Sequence, residues 1–303
     1  MQENVAELNA RLKELVINRL PKAGSLETGV PGFSIGRHEG KLSCQGRCMG
    51  KPCCSLLIAG NKVTTLGTRV YRYGAGDCLV AGIDMPSSFH VMYASHVDPC
   101  IYLLLELKPE LFTRLIVDHP SLTADLSSTV MDEGATVMEA SLDLYRAFYR
   151  LFELIDDPRK AEVLAPLIIE ELHYHLLVSK AGPVLKNYHA LGAASNRIFK
   201  AISYLKNHVS TNLFINEVAA EVNMAPSTFY RHFKKVMGMT PVQFQKQLRL
   251  YEAQRLMLEG TSVSSAAFRV GYESTSQFSR DYKSFFGAPP NRDVRERMMN
   301  IAV

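Results

Sequence analysis

The last third of the chain contains the stretch RHFKKVMGMTP at residues 231–241, and RDYKSFFGAPP at residues 280–290 repeats its pattern 49 residues later. Apolar positions recur in phase, at Phe229, Phe233 and Val236 in the first copy and at Phe278, Tyr282 and Phe285 in the second. This spacing places side chains on one face of a helix. Each copy therefore predicts a helix with a buried aromatic face.

The opposite face of each predicted helix also repeats, and it carries polar or basic residues without Asp or Glu. These candidate DNA contacts are Ser227, Tyr230, Arg231 and Lys234 in the first copy and Thr275, Ser276, Gln277, Ser279, Arg280 and Lys283 in the second. Short polar and basic side chains suit a groove that is lined by phosphates. The two faces are therefore predicted to lie on DNA.

A short helix and a tight turn precede each copy. The first short helix is predicted over 216–222 and the second over 262–270, and each contains two adjacent alanines that allow close helix contact. A helix, a short turn and a basic-faced helix form a helix-turn-helix, whose second helix enters the major groove. Thr240 and Pro241 are typical of the start of a further helix, over about 241–258, which would fix the separation of the two units.

At these residues the sequence resembles a known family. Residues 197–297 resemble the DNA-binding domain of the AraC/XylS family of bacterial transcription regulators. The residues that match its signature are Ala267, Gly271, Tyr272, Ser274, Phe278, Arg280, Tyr282, Lys283, Phe286, Gly287 and Pro290. The resemblance implies seven helices, two of them in successive major grooves of double-stranded DNA, and a transcription activator that contacts RNA polymerase.

The first two thirds also resemble this family. The segments 71–77, 84–86 and 157–167 are similar to the cupin-like N-terminal domain of one AraC-type subgroup. That resemblance implies a sensor domain over 1–190 that takes a small-molecule effector and forms a homodimer. The expected fold is α+β: a cupin-like β-barrel with trailing helices, followed by an all-α double helix-turn-helix domain over 197–297.

Charge and composition agree with this division. Residues 197–303 have a net charge of +7 and residues 1–196 one of −3, which is typical of a control module joined to a polyanion-binding module. No apolar run is long enough to span a membrane, and the charged first twenty residues contain no secretory signal. A cytoplasmic protein without membrane contact is expected.

The local patterns of the first two thirds favour short strands and then helices. Residues 1–20 predict a helix that ends at Pro21, and β-rich runs follow between about 30 and 107, with a hairpin turn at Gly60-Asn61. Helices are predicted over 109–117, 136–155 and 160–178, with Gly182-Pro183 ending the run and residues 183–196 as a connector.

Cysteines are concentrated in the strand region, where Cys44, Cys48, Cys53 and Cys54 form a cluster. Their spacing does not match paired zinc knuckles, and adjacent Cys53 and Cys54 on a strand point to opposite faces. Two interpretations stay open: buried small side chains, or sensor thiols whose pKa is lowered by nearby lysine and arginine.

The remaining candidate sites are weaker. His90 follows a Gly-Asp and Pro pattern that is similar to half of a metal-binding cupin motif, but His38 stands alone in the other half, so no metal or other cofactor is expected. No catalytic triad or carboxylate pair stands out, which favours a protein that is not an enzyme. The alternative is a thiol- or metal-dependent cupin-like enzyme with an incidental nucleic-acid-binding tail.

Overall fold

The computed structural model describes residues 4–40, 48–123, 133–189, 194–211 and 214–301. The main division between two compact units lies between Asn196 and Arg197. No helix in this part of the chain is long and apolar enough to cross a membrane.

The first unit contains two β-sheets in its described part. Its strands are β1 (Gly24–Glu27), β2 (Phe33–His38), β3 (Cys48–Gly50), β4 (Cys53–Ala59), β5 (Asn61–Leu66), β6 (Arg69–Gly74), β7 (Asp77–Ala81), β8 (Met85–Val91), β9 (Cys100–Glu106) and β10 (Ala135–Glu139). One sheet has the order β1-β2-β9-β4-β7-β10, and the other has the order β3-β8-β5-β6. The predicted strand region is thus a two-sheet, barrel-like fold.

Helices cover one face of the six-stranded sheet. They are α1 (Val5–Arg19), α2 (Pro109–Asp118), α3 (Leu142–Glu153), α4 (Pro158–Leu177) and α5 (Gly182–His189), with a 3₁₀ turn at Pro120–Thr123. In β9 the side chains of Leu103 and Leu105 are fully buried in the core that α1, α3 and α4 also form, whereas Tyr102 faces the other sheet. The alternation follows from the two-residue period of a strand. The helix α1 packs on its own unit, because its Leu8, Leu12 and Val16 side chains belong to this core.

The hairpin predicted at Gly60-Asn61 is wrong. β4 pairs with β7 and β9, whereas β5 pairs with β6 and β8, so the chain changes sheets at Gly60 instead of folding back beside itself. Gly60 has a φ of +84°, and a Cβ there would lie 2.9 Å from the Cα of Cys100. The glycine is needed for a tight corner between sheets, which has the same local signature as a hairpin turn.

Two predicted helix boundaries also need correction. The helix predicted over 136–155 begins only at Leu142, since Ala135–Glu139 forms the edge strand β10 against β7. Ser141 caps the helix by accepting a hydrogen bond from the backbone N–H of Leu144. The predicted connector over 183–196 is largely helical, because Gly182-Pro183 begins α5 instead of ending the helical run. Proline is well suited to the first turn of a helix.

From Arg197 onward, the regular secondary structure of the second unit is entirely helical in its described residues. Its seven helices are α6 (Ala194–Asn207), α7 (Ile215–Glu221), α8 (Pro226–Met237), α9 (Pro241–Leu258), α10 (Val263–Arg269), α11 (Thr275–Phe286) and α12 (Pro290–Ile301). Thr240 caps α9 in a capping box with Gln243. The buried side chain of Asp293 on α12 accepts hydrogen bonds from Gln254 on α9 and Tyr282 on α11, at 2.6 and 2.7 Å, and so ties three helices together.

Candidate nucleic-acid interface

The two repeats fold into equivalent helix-turn-helix units, α7 with α8 and α10 with α11. Their turns use the same backbone geometry: Asn223 and Gly271 have positive φ values of 53° and 85°. After each turn residue, the next N–H donates back to an alanine carbonyl, Met224 to Ala219 and Tyr272 to Ala267. This pattern is a Schellman-type helix end, which aims the following helix across the preceding one.

The helix α8 buries its aromatic face and exposes its polar face, as predicted. Phe229 and Phe233 are fully buried, and Phe233 packs edge-on against Phe244 of α9. Ser227, Tyr230, Arg231 and Lys234 are all exposed. Gly238 ends the helix with a φ of +70° and donates its N–H to the carbonyl of Lys234.

The helix α11 has the same division of faces. Phe278, Tyr282 and Phe286 are buried, so the predicted third core position, Phe285, is shifted by one residue. Phe285 is half-buried against Tyr251 of α9. Ser276, Gln277, Arg280 and Lys283 are exposed, whereas Thr275 and Ser279 are half-buried. Ser274 caps the helix, and Gly287 ends it in the way that Gly238 ends α8.

The two exposed faces are electrostatically suited to DNA. Each presents an Arg and a Lys one helical turn apart, Arg231 with Lys234 and Arg280 with Lys283. The acidic residue of α11, Asp281, is half-buried and forms an ion pair with Lys246 of α9 at 2.7 Å. Its charge is therefore compensated within the unit.

The helix α9 contributes polar side chains that the sequence analysis missed. Arg249 donates hydrogen bonds to the carbonyls of Val209 and Thr211, before the first repeat, and of Gly271, in the turn of the second. Gln245, one turn earlier on α9, also donates to the carbonyl of Thr211 at 3.0 Å. Because Gln245 and Arg249 are four residues apart, the sequence predicts that they share one face of α9. Nothing in the local sequence indicates that their partners are backbone carbonyls. These bonds join α9 to the segment before the first repeat and to the turn of the second.

The candidate sensor thiols are distributed over different environments. Cys44 and the side chain of Cys48 lie outside the described residues. Cys53 is half-buried, and Cys54 is fully buried in the core that faces the helices. A hydrogen bond with the Cys78 thiol, together with burial, raises the pKa of Cys54 well above its ordinary value. These features work against thiolate formation at Cys54.

The two candidate cupin histidines lie in different environments. His38 is buried and His90 is exposed, and no group of three His, Cys, Asp or Glu side chains in the described ranges could hold a metal ion. The ring of His38 instead stacks on Tyr102 at 5.3 Å.

Family models match both units. The model described as "AraC-type transcriptional regulator N-terminus" matches residues 29–184, and a helix-turn-helix domain model matches residues 218–296. Curated relatives include the transcriptional activator RhaS of Klebsiella pneumoniae, 30% identical over 101 residues, or 33% of this chain and 36% of that one. The raffinose operon regulator RafR of Pediococcus pentosaceus is 36% identical over 92 residues, or 30% of this chain and 33% of that one. The chain spans about a third of the length of these relatives.

A solved structure shares the fold over nearly the whole chain. ToxT from Vibrio cholerae has a TM-score of 0.58, and the match covers 90% of this chain and 98% of ToxT at 12% sequence identity. At this identity the likeness concerns the fold alone. The N-terminal match, which covers more than half of the chain, decides the family. The chain belongs to the family of AraC-type transcriptional regulators.

Proposed function

We propose that the chain is a sequence-specific DNA-binding transcription regulator that activates its target genes in the cytoplasm. The observation that supports this proposal best is the pair of equivalent helices α8 and α11. Both expose a polar face with an Arg and a Lys, and both pack against α9, where Phe244 contacts Phe233 of α8 and Tyr251 contacts Phe285 of α11. Residues 197–297 would form the DNA-binding domain, and the ten exposed or half-buried candidate residues would contact successive major grooves.

The N-terminal unit, residues 1–190, would act as the sensor. Its two sheets enclose polar as well as apolar side chains, and small barrels can hold one small ligand. A structure of ToxT, which shares the fold, contains a bound unsaturated fatty acid. A small molecule, or modification of a thiol in the cysteine cluster, would change operator affinity by favouring one of two arrangements of the regulator.

A second copy of the chain is the proposed partner of α4. Val163, Leu164 and Leu167 are exposed on this helix, with Lys160 one turn before them and Glu170 one turn after. In an antiparallel pair of α4 helices, these apolar side chains would form the centre of the interface. Lys160 and Glu170, which pair with Asp157 and Arg114 of their own copy, would lie at its ends. Sedimentation equilibrium should show a dimer that Leu167→Glu dissociates and that Val178→Glu, at the far end of the helix, leaves intact. A monomeric wild-type protein would contradict this arrangement.

Footprinting tests the regulator proposal directly. The full chain should protect a discrete site upstream of its own gene or a neighbouring gene, and it should do so in the presence of excess competitor DNA. Transcription from that promoter in vitro should rise when the chain and RNA polymerase are both added. Protection that is uniform along the DNA would contradict sequence-specific binding.

A further inference from the structure

The space between the two sheets contains a charged and aromatic cluster, which we define as Lys62, Phe89, Tyr102 and His38. Lys62 lies near the start of β5, and His38, at the end of β2, pairs with Cys100 at the start of β9. The cluster therefore lies at one end of the two-sheet fold, where β2 ends and β9 begins. The two basic members are strongly buried, with 6% of Lys62 and 8% of His38 exposed.

Two aromatic rings flank the ammonium group of Lys62. Its Nζ lies 4.2 Å from the ring centroid of Phe89 on one sheet and 4.2 Å from that of Tyr102 on the other. Cation–π attraction of this kind offsets part of the cost of removing an ammonium group from water. Gly36 makes room for the arrangement, since a Cβ there would lie 2.2 Å from the ring of Tyr102.

The imidazole of His38 completes the cluster. The ring stacks on Tyr102, and its centroid lies 5.4 Å from that of Phe89. Its buried Nε2 has no hydrogen-bond partner. Burial, and then the positive charge of Lys62, lower the pKa of His38 to about 4. The ring is therefore neutral at pH 7.

The unpartnered Nε2 of His38, beside the buried positive charge of Lys62, indicates a site for an anion. An unsatisfied buried polar atom destabilises the fold, and a charged acceptor would remove that cost at His38. A neutral imidazole can place its single hydrogen on Nε2 and donate it. The same acceptor would gain from the positive potential of Lys62 in a medium of low dielectric constant.

We propose that this cluster binds the carboxylate of a small organic acid, with Lys62 Nζ and His38 Nε2 as donors and Phe89 and Tyr102 beside its carbon skeleton. The inference rests on the proposed function, because it assigns a ligand class to the sensor unit. The ligand would order the end of the fold at which β2 and β9 meet.

Calorimetric titration of the full chain with cyclohexanecarboxylate tests the proposal. The wild-type chain should bind one equivalent with saturation, and it should not bind the uncharged cyclohexanecarboxamide. Lys62→Met, which keeps the length of the side chain but removes its charge, should weaken binding about thirtyfold or more. His38→Phe, which keeps a ring beside Tyr102 but removes Nε2, should weaken binding about tenfold or more. Arg72→Met removes a positive charge from an exposed position on β6 and should bind like the wild type.

Several results would overturn the carboxylate site. These are the absence of saturable binding by the wild type, equal binding of the amide, undiminished binding by both cluster variants, or binding of inorganic phosphate in place of the carboxylate. Circular dichroism will show whether Lys62→Met folds, and His38→Phe provides an independent variant if it does not. Operator binding measured without any carboxylate separates this test from the proposed function, since Lys62→Met should retain it.

Discussion

The guanidinium of Arg249 lies against the backbone of Gly271 and donates to its carbonyl at 3.3 Å. Gly271 forms the turn of the second helix-turn-helix, and the remaining donors of Arg249 bind carbonyls that precede the first. A Cβ at Gly271 would lie 2.5 Å from the carbonyl oxygen of Ser210 and 3.2 Å from the guanidinium carbon of Arg249. The signature glycine thus serves two purposes, the left-handed turn and the close contact with Ser210 and Arg249.

Gly271→Ala should therefore destabilise the second unit more than a glycine replacement that introduces backbone strain alone. Gly287→Ala is the matched control, because Gly287 has a similar φ of +87° but open space around a Cβ. The control should cost about 1–2 kcal/mol of unfolding free energy. Gly271→Ala should cost about 1–3 kcal/mol more, because the overlap must be relieved by movement of packed groups. Urea unfolding measures the unfolding free energy of both variants. Equal losses would contradict the close contact of Gly271 with Ser210 and Arg249.

Arg231→Ala and Arg280→Ala should each weaken operator binding. The loss should be about 1–3 kcal/mol, with relaxed base preference at one position, if the arginine reads a base. An arginine that contacts only phosphate would weaken binding to all sequences equally and reduce the salt dependence. Arg292→Ala is a suitable control, because Arg292 is exposed on α12 and paired with Glu296. Wild-type affinity of both recognition-helix variants for a mapped operator would exclude these helices from the groove.

A fragment that starts at about Ser195 should fold alone and bind DNA. Its core, formed by α9 to α12 with Phe278 and Tyr282 fully buried, uses residues of this unit only. Circular dichroism should show a helical fragment, and the logarithm of its DNA affinity should fall steeply with the logarithm of salt concentration. The fragment 1–190 should be rich in β-structure and should not bind DNA. An unfolded C-terminal fragment would contradict the proposed boundary.

The sequence predicted the second unit more completely than the first, because the helix-turn-helix pattern occurs in it twice. Phe229 and Phe278, the two turns and the Gly238 and Gly287 helix ends each occur twice at nearly constant spacing, so each copy supports the interpretation of the other. The contacts of Arg249 could not be predicted, since carbonyls at Val209 and Gly271 come together only through the packing of α9.

In the first unit, local patterns left the pairing of strands undetermined. Gly60-Asn61 has the signature of a hairpin, yet the pairing of β4 with β9 and of β5 with β8 places the adjacent strands in different sheets. The burial of Lys62 could not be predicted either, because a lysine in an alternating strand predicts an exposed position. The rings of Phe89 and Tyr102, which come from distant strands, flank its ammonium group.

Stability of the first unit should fall as the pH decreases from about 6.5 towards 4. Burial lowers the pKa of His173 to about 4, and burial together with the charge of His173 does the same for His189. The unfolded chain takes up protons below its ordinary histidine pKa of about 6.5, whereas the folded unit does not, so acid favours unfolding.

Each histidine should contribute a loss of order 2 kcal/mol between pH 7.5 and pH 5. His173 accepts a hydrogen bond from the N–H of Lys108 and contacts the carbonyl of Ile169, so His173→Gln keeps polar atoms at this position. Urea unfolding of the full chain at both pH values should show a smaller loss for this variant. An unchanged pH dependence would contradict the assignment.

The half-buried thiol of Cys53 should react with a trace of labelled maleimide before Cys54, Cys78 and Cys100 do. Those three side chains are fully buried, and burial also raises the pKa of Cys100, so both access and thiolate content are lower at these positions. Mass spectrometry of the native chain would identify the first labelled cysteine, with Cys44 and Cys48 as the other candidates for early modification.

If the cluster is a sensor, labelling must also change operator affinity, because a switch requires a difference between two states. Cys53→Ser provides the control: it should bind the operator normally and respond less to the reagent if Cys53 is the reactive residue. Uniformly slow labelling of all six thiols would show that these cysteines only pack the core, and the sensor unit would then depend on a non-covalent ligand.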